Sequence, residues 1–461
     1  MIKAIIINFL GIFNSRILGF IRDLLSASIL GANMYSDIFF VAFKFPNLFR
    51  RIFAEGAFSQ SFLPTFAKTK NKARFAYVIF IKFFIIILIL SLFVTIFRDF
   101  VTDILAYGFS NEAKKIASPL IAVNFWYLDF IFVVTFLASL LQYKNHFAVS
   151  AFSTALLNIS LIAALIISKN LPKKEIIWYL SFGVLIGGFA QLIAHLIMAK
   201  KKKILRLLLI GCKREEKIDI SEFKRHFLPS VFGNSTAHIS AFLDTWLATF
   251  LVSGSISYLY YANRLFQLPF ALFVIATSTV FFPKITKLLH SKKEDKAIAM
   301  MKKIFWILLY LLILATIVGI MDSKDIVKVL FERGAFTSKD TFFTANVLIM
   351  YLIGLIPYGI SKLFSSYLYA VHKHLKAAKI SAIALGGNII FSIILIFPLK
   401  VYGLALASSL SGFIMLYLYI KEFSFKLFFK FFEKKYLLYL ILSVIASIIA
   451  AIIFKKILLL F

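Results

Sequence analysis

The chain has 461 residues, of which 61% are hydrophobic, 17% aromatic and only 16% charged; this lies far above the apolar share of a soluble domain and indicates a polytopic membrane protein. The net charge of +31 does not mark a nucleic-acid binder, because Lys and Arg sit in short connectors between apolar runs rather than on a soluble basic face. A single cysteine, Cys212, in one of those connectors excludes an intrachain disulfide and any multi-cysteine metal site.

In chain order, apolar spans run near 3–28, 35–66, 75–100, 116–141, 148–168, 176–199, 225–252, 257–283, 300–321, 341–370, 377–398, 401–420 and 436–456, which makes thirteen. They are too long and too continuously apolar for barrel strands, and an open sheet edge cannot satisfy its backbone in lipid, so all are expected to be helices. The fold class is therefore an all-α polytopic membrane protein. The first run carries Lys3 and then Arg16 with no small-residue cleavage site, and is expected to be retained as a span. Connectors 67–74, 200–225, 284–303, 371–379 and 421–435 hold four, ten, seven, three and five Lys or Arg, whereas 29–34 and 253–256 hold none. The basic side is cytoplasmic by the positive-inside rule, which puts the N-terminus inside.

The first two spans are the least lipid-like. Arg16 falls near the middle of the first helix, where an arginine costs roughly 2.5–3.5 kcal/mol, so it should face protein or a water-filled cavity. Arg22, six residues on, is rotated by about 240° onto another face, where it has the better chance to snorkel, while Asp23 returns nearly to the face of Arg16. In the second span Asp37, Lys44, Arg50, Arg51 and Glu55 surround Pro46, whose missing N–H favours a kink. Arg51 and Glu55 are spaced i, i+4, and an ion pair and a ligand contact are equal readings for them.

A weaker echo of residues 14–64 occurs at 234–283: Asn14-Ser15 matches Asn234-Ser235, Asp23 falls near Asp244, and Phe62-Leu63-Pro64 rhymes with Phe281-Phe282-Pro283. Arg264 stands near the position of Lys44 with no acid in the neighbouring turns. The echo predicts two parallel six-span lobes, 1–200 and 225–423, with a Lys-rich connector at 201–224 and an additional helix within 424–461. Arginines converging from several helices suit phosphate oxygens, although carboxylates and sulfates satisfy the same geometry.

The runs SRILGFIRD at 15–23, DIFFVAFKFPNLFRRIFAEGAFSQSFLP at 37–64, YYANRL at 260–265 and LFERGAFT at 330–337 resemble the MurJ (MviN) lipid II flippases of the multidrug/oligosaccharidyl-lipid/polysaccharide exporter superfamily. The resemblance extends from the first span through the twelfth. It implies two six-helix lobes around a central cationic cavity, two further helices where this chain shows one, and residence in the bacterial inner membrane. It also implies translocation of lipid II, the undecaprenyl-diphosphate-linked peptidoglycan precursor, to the periplasmic leaflet, beside the peptidoglycan synthesis machinery. The family's diphosphate-binding residues match Arg16, Arg22, Arg50 and Arg264, which selects Arg50 over Arg51; Ser15, Asp37, Lys44 and Glu55 match further polar positions of the cavity. Some members bind a sodium ion, whose oxygen ligands match Asp244, Asn388 and Ser408 here. An acid that those members use one turn after the Asn is Ser392 in this chain, a departure that weakens the sodium site.

No catalytic constellation competes with a transporter. The seven His lack HExxH spacing, and no phosphate-binding glycine loop occurs, so ATP is not expected to drive transport directly. Gly187-Gly188 and Gly386-Gly387 read as helix-packing points, and His372 with His374 as a solvated pair. Two rivals keep the fold. A drug or polysaccharide-lipid exporter would not rescue a lipid II flippase deficiency, and a non-transporting lipid-binding scaffold would tolerate loss of the buried arginines.

Overall fold

The computed structural model describes residues 2–50 and 58–458. Among the described residues the regular structure is all helix, with no strand, and nine helical segments are long and apolar enough to cross a membrane. Where they are described, the expected spans fall largely on helix, with breaks at Trp126 and Gly354 inside the spans read at 116–141 and 341–370. This is an all-α polytopic membrane protein, and by mutual packing it divides into two units, Met1–Ser253 and Gly254–Phe461.

The first unit comprises α1 (Ile2–Leu30), α2 (Met34–Phe49), α3 (Ser59–Lys68), α4 (Lys72–Ile96), α5 (Arg98–Leu105), α6 (Asn111–Phe125), α7 (Tyr127–Tyr143), α8 (Ala148–Ser168), α9 (Lys173–Lys201), α10 (Ile204–Lys213) and α11 (Ser221–Ala248). Gly31, at φ 78°, ends α1, and Asn33 starts α2 by a reciprocal cap. Its side chain accepts from the Tyr35 and Ser36 amides at 2.9 and 3.4 Å, and the Ser36 hydroxyl accepts from the Asn33 amide at 2.8 Å. Pro46 is buried inside α2, and the chain widens to π-helical bonding at Arg50 and again at Phe58, as proline-disturbed helices do.

An aromatic core explains why α11 belongs to this unit. Phe58 and Phe62 of the second span stack at 5.3 Å, and Phe227 of α11 meets Phe83 of α4 edge-on at 5.2 Å. Phe223 and Phe136 close the same cluster. In lipid such rings gain little from leaving an apolar solvent, and what holds them is close dispersion contact. Glycines permit that closeness elsewhere: a Cβ at Gly187 would lie 2.8 Å from the Leu157 Cα of α8, and one at Gly188 would lie 2.7 Å from the Tyr127 ring. The Lys-rich connector is itself ordered. Arg74 donates to the carbonyls of Glu216 and Gly211 at 3.1 and 3.2 Å, and Arg214 donates to Asn71 at 2.8 Å, which ties α10 to the start of α4. Isoleucines such as Ile86 and Ile89 on α4 point outward, where lipid rather than water is their solvent.

The second unit comprises α12 (Ser255–Pro269), a π-helical stretch (Phe270–Ile275), α13 (Ala276–His290), α14 (Glu294–Met321), α15 (Ser323–Phe331), α16 (Ser338–Ile353), α17 (Leu355–Ala370), α18 (His374–Phe423), α19 (Phe425–Phe429) and α20 (Lys434–Leu458). Pro269 is followed at once by the π-helical stretch, so each unit carries a proline-induced widening in the segment that holds its sequence-predicted arginine. α18 is broken at Lys400, with φ 51° and ψ −128°, into legs 374–399 and 401–423. Gly403 lets the legs fold together, since a Cβ there would meet the Leu395 carbonyl. Of the second glycine pair only Gly387 is a packing point, its Cβ position lying 2.6 Å from Ile414, while Gly386 faces open space. α20 packs on α14 through Trp306, whose indole stacks on Tyr436 at 5.1 Å and donates to the Phe431 carbonyl at 2.8 Å.

Candidate substrate site

In the first unit α1 and α8 hold the arginine end of the site together. Arg22, with its side chain only 12% exposed, contacts the Asp23 carboxylate at 2.7 Å and donates through Nη1 to Asn158 Oδ1 at 3.1 Å. Asn158 of α8 in turn donates to the Ser15 carbonyl at 3.0 Å. Gly19 faces the same Asn158 amide, 3.6 Å from where its Cβ would stand. Arg22 is therefore anchored in the protein rather than snorkelling toward water, and Asp23 serves Arg22, its neighbour in sequence, rather than sharing a site with Arg16. Arg16 is exposed, on a different face from Arg22, as the six-residue spacing requires.

In α2, Asp37 is buried in the first turn, where free amides at the helix N-terminus favour a carboxylate, and Lys44 is half-buried. Arg50 donates from Nε to Asn47 Oδ1 at 2.9 Å, and it lines a cavity of about 160 Å³ together with Gln142, Gln191 and His195. Arg51 and Glu55 lie outside the described residues. In the second unit Arg264 lies over the Tyr260 ring, 4.8 Å from its centroid, and donates from Nη2 to the Tyr260 hydroxyl at 3.0 Å. The phenol thus meets the guanidinium with both its ring face and its hydroxyl. Among the sodium candidates, Asp244 is buried in α11 of the first unit, and Asn388 is buried on the first leg of α18. Ser408 lies on the second leg and accepts from the Tyr358 hydroxyl through its carbonyl at 2.9 Å.

Several polar residues of the first unit escaped the sequence reading. Asn158 is 136 residues from Arg22, and nothing local announces the pair. Asp129 of α7 is 7% exposed and accepts from the Ser91 hydroxyl at 2.5 Å; a lone acid in the run YLDFIF was a readable signal, since an ionisable residue at membrane depth is a functional candidate by default. Gln191 and His195 share one face of α9 at i, i+4 and both are buried.

The sequence profile described as "Lipid II flippase MurJ" matches residues 26–460. The chain belongs to the lipid II flippase MurJ family. A probable lipid II flippase MurJ of Helicobacter pylori is 49% identical over 416 residues, covering 87% of this chain and 90% of the relative. One from Buchnera aphidicola subsp. Schizaphis graminum is 35% identical over 88% of this chain and 79% of its own length. A solved structure of the lipid II flippase MurJ in an inward closed conformation superimposes with a TM-score of 0.79 at 28% identity, covering 98% of both chains. An inward-facing multidrug resistance MATE family transporter of the MOP superfamily gives a TM-score of 0.63 at 13% identity over 96% of both, a likeness of fold alone. Membership of this family makes the chain a transporter rather than an enzyme.

Proposed function

We propose that this chain is a lipid II flippase of the bacterial inner membrane, with its N-terminus on the cytoplasmic side, and that it carries the undecaprenyl-diphosphate-linked precursor to the periplasmic leaflet by alternating access. The observation that carries this reading is the kind of support each arginine has. Arg22 is steered by Asp23 and Asn158, Arg50 by Asn47, and Arg264 by a tyrosine. Guanidinium groups placed this way at membrane depth suit a doubly charged diphosphate, and the relatives of this chain are named as lipid II flippases.

In this reading Arg16, Arg22, Arg50 and Arg264 serve the diphosphate, with Ser15, Asp37, Lys44 and Glu55 as further polar or gating groups. The repeats proposed from the sequence, 1–200 and 225–423, need not coincide with the packing units, because α11 follows its aromatic contacts. A sodium ion would take oxygens from Asp244, Asn388 and Ser408, a hard-donor set with one formal charge, and would link the cycle to an ion gradient. Peptidoglycan synthesis enzymes are the proposed protein partners.

The test is rescue of cells depleted of their own lipid II flippase. The wild-type chain is expected to restore growth, whereas Arg16→Ala and Arg264→Ala, produced and inserted at normal levels, are expected to fail. Full rescue by either variant would overturn the site assignment, and failure of the wild type would favour another exporter of the superfamily.

A further inference from the structure

At the joint between α14 and α15 in the second unit, Asp322 is only 1% exposed. It closes one helix and opens the next: its amide donates to the Val318 carbonyl at 3.0 Å, and its carbonyl accepts from the Ile326 amide at 2.8 Å. An aspartate at the start of a helix ordinarily turns its carboxylate onto the free amides of the first turn. Asp322 makes no such cap, because its φ of −107° and ψ of 14° lie outside the extended region that a capping residue adopts. Oδ2 is instead buried with no hydrogen-bond partner. The main chain is paired on both sides while the carboxyl has nothing to hold a charge, and burial then favours the uncharged acid.

The charges nearby do not repair this. Burial is the largest influence and pushes the Asp322 carboxyl above the usual carboxylate range; Asp325, half-buried one turn on, adds to it, and the exposed Lys455 of α20 opposes it. α14, α16 and α20 pack against α15. At this end of the four helices the other charged groups are Lys324, Lys328, Lys339 and Lys456, all exposed to solvent, and Asp340, which is held by Thr337 and by the Tyr258 hydroxyl. The charges of α14 begin at Lys303, about 28 Å down its axis, and its tyrosine and those of α16 and α20 stand about a dozen residues or more from the joint. Residues 459–461, outside the described part, carry no charged side chain.

We propose that Asp322 makes the α14–α15 joint a proton-operated lock: with the acid protonated α15 stays seated, and loss of the proton to solvent draws the carboxylate out toward water and lifts the first turns of α15. Ser323, Val327 and Phe331, spaced i, i+4, i+8, form the buried face that seats the helix. The seated joint holds the proton more tightly than the open one. Seating is therefore strongest below the ordinary aspartate value, about 3.9, and weakens by up to about tenfold per pH unit until the seated-state value is passed, after which it levels off. The connector 322–340 lies on the side opposite the Lys-rich connectors, so by the positive-inside rule the lock responds to pH outside the cytoplasm.

The test is hydrogen exchange of residues 323–331 in the full chain in nanodiscs, corrected for the intrinsic pH dependence of exchange and followed from pH 4.5 to 8. Asp322→Asn keeps the shape of the protonated acid and cannot ionise. In the wild type, opening is expected to rise with pH and then level off; in Asp322→Asn it is expected to stay flat, with a later thermal melt than the wild type at pH 7.5. Lys455→Gln changes an exposed side chain and removes the cation that opposes the shift, so its curve is expected to level off at a higher pH than that of the wild type. A flat wild-type profile, the wild-type slope retained in Asp322→Asn, or an unmoved curve in Lys455→Gln would overturn the proposal. Loss of the wild-type slope in millimolar Mg²⁺ would also overturn it, by making a cation between Asp322 and Asp325 the occupant of the joint. Lipid II enters none of these measurements, so the lock stands or falls apart from the flippase reading.

Discussion

Asn158 allows the stability of the arginine site and its charge to be varied separately. Asn158→Ala removes the acceptor that Arg22 reaches at 3.1 Å and the donor to Ser15 at 3.0 Å. A hydrogen bond to a charged group is worth about 1.5–3 kcal/mol, so this variant should melt measurably earlier. Asn158→Asp keeps an acceptor for Arg22 and makes it a charge-assisted partner but loses the donor to Ser15, so its melt should fall between those of Asn158→Ala and the wild type. Function should nevertheless fall. A carboxylate behind Arg22, about 7 Å from an anion on the far edge of the guanidinium, repels a unit charge by about 2.4 kcal/mol at an effective dielectric of 20, or about 60-fold in affinity. The assays are a detergent-solubilised thermal melt and translocation of fluorescent lipid II in proteoliposomes. Asn158→Asp working at the wild-type rate would refute the claim that Arg22 offers its charge to an anion.

Other outcomes follow from single contacts. Tyr260→Phe removes the hydroxyl that accepts from Arg264 and keeps the ring beneath it, so translocation should fall by about tenfold, the effect of losing one charged hydrogen bond. Tyr260→Leu, which also loses the cation–π contact worth about 0.5–2 kcal/mol, should do worse. Ser91→Ala leaves the buried Asp129 carboxyl without the hydroxyl that donates to it and should cost about 1–3 kcal/mol of stability in a melt. The pH dependence of the C-terminal helix rests on Glu433, whose carboxyl is held below the usual range by its hydrogen bond to Lys302 and then by Lys435. A depressed folded-state pKa stabilises above the unfolded value, about 4.3, and that contribution is lost as pH falls through the lowered one. Protection of residues 434–458 in hydrogen exchange should therefore hold to about pH 4.5 and weaken below it, and Lys302→Ala should move that loss to higher pH.

Much of the fold was legible because membrane spans are written in continuous composition. Even the break inside α18 falls between the spans read at 377–398 and 401–420, where Pro398 and Gly403 bracket Lys400. What composition could not show is which helices share a core. Phe223 and Phe227 draw α11 to the second and third spans, and a pattern of phenylalanines in every helix does not name their partners. At the site, spacing separated Arg16 from Arg22 onto different faces but assigned Asp23 by helical angle, whereas the carboxylate takes the adjacent guanidinium. Asn158, Gln191 and His195 were silent in sequence because each works through a contact with another helix or through a cavity, and neither is visible along a single helix.

The most direct test of the central claim is translocation of lipid II by the purified chain in proteoliposomes, with Arg22→Ala and Arg264→Ala measured beside the wild type. Lipid II movement by the wild type, with at least a tenfold loss in each variant inserted at normal levels, is the predicted result. Equal rates in all three proteins would contradict it.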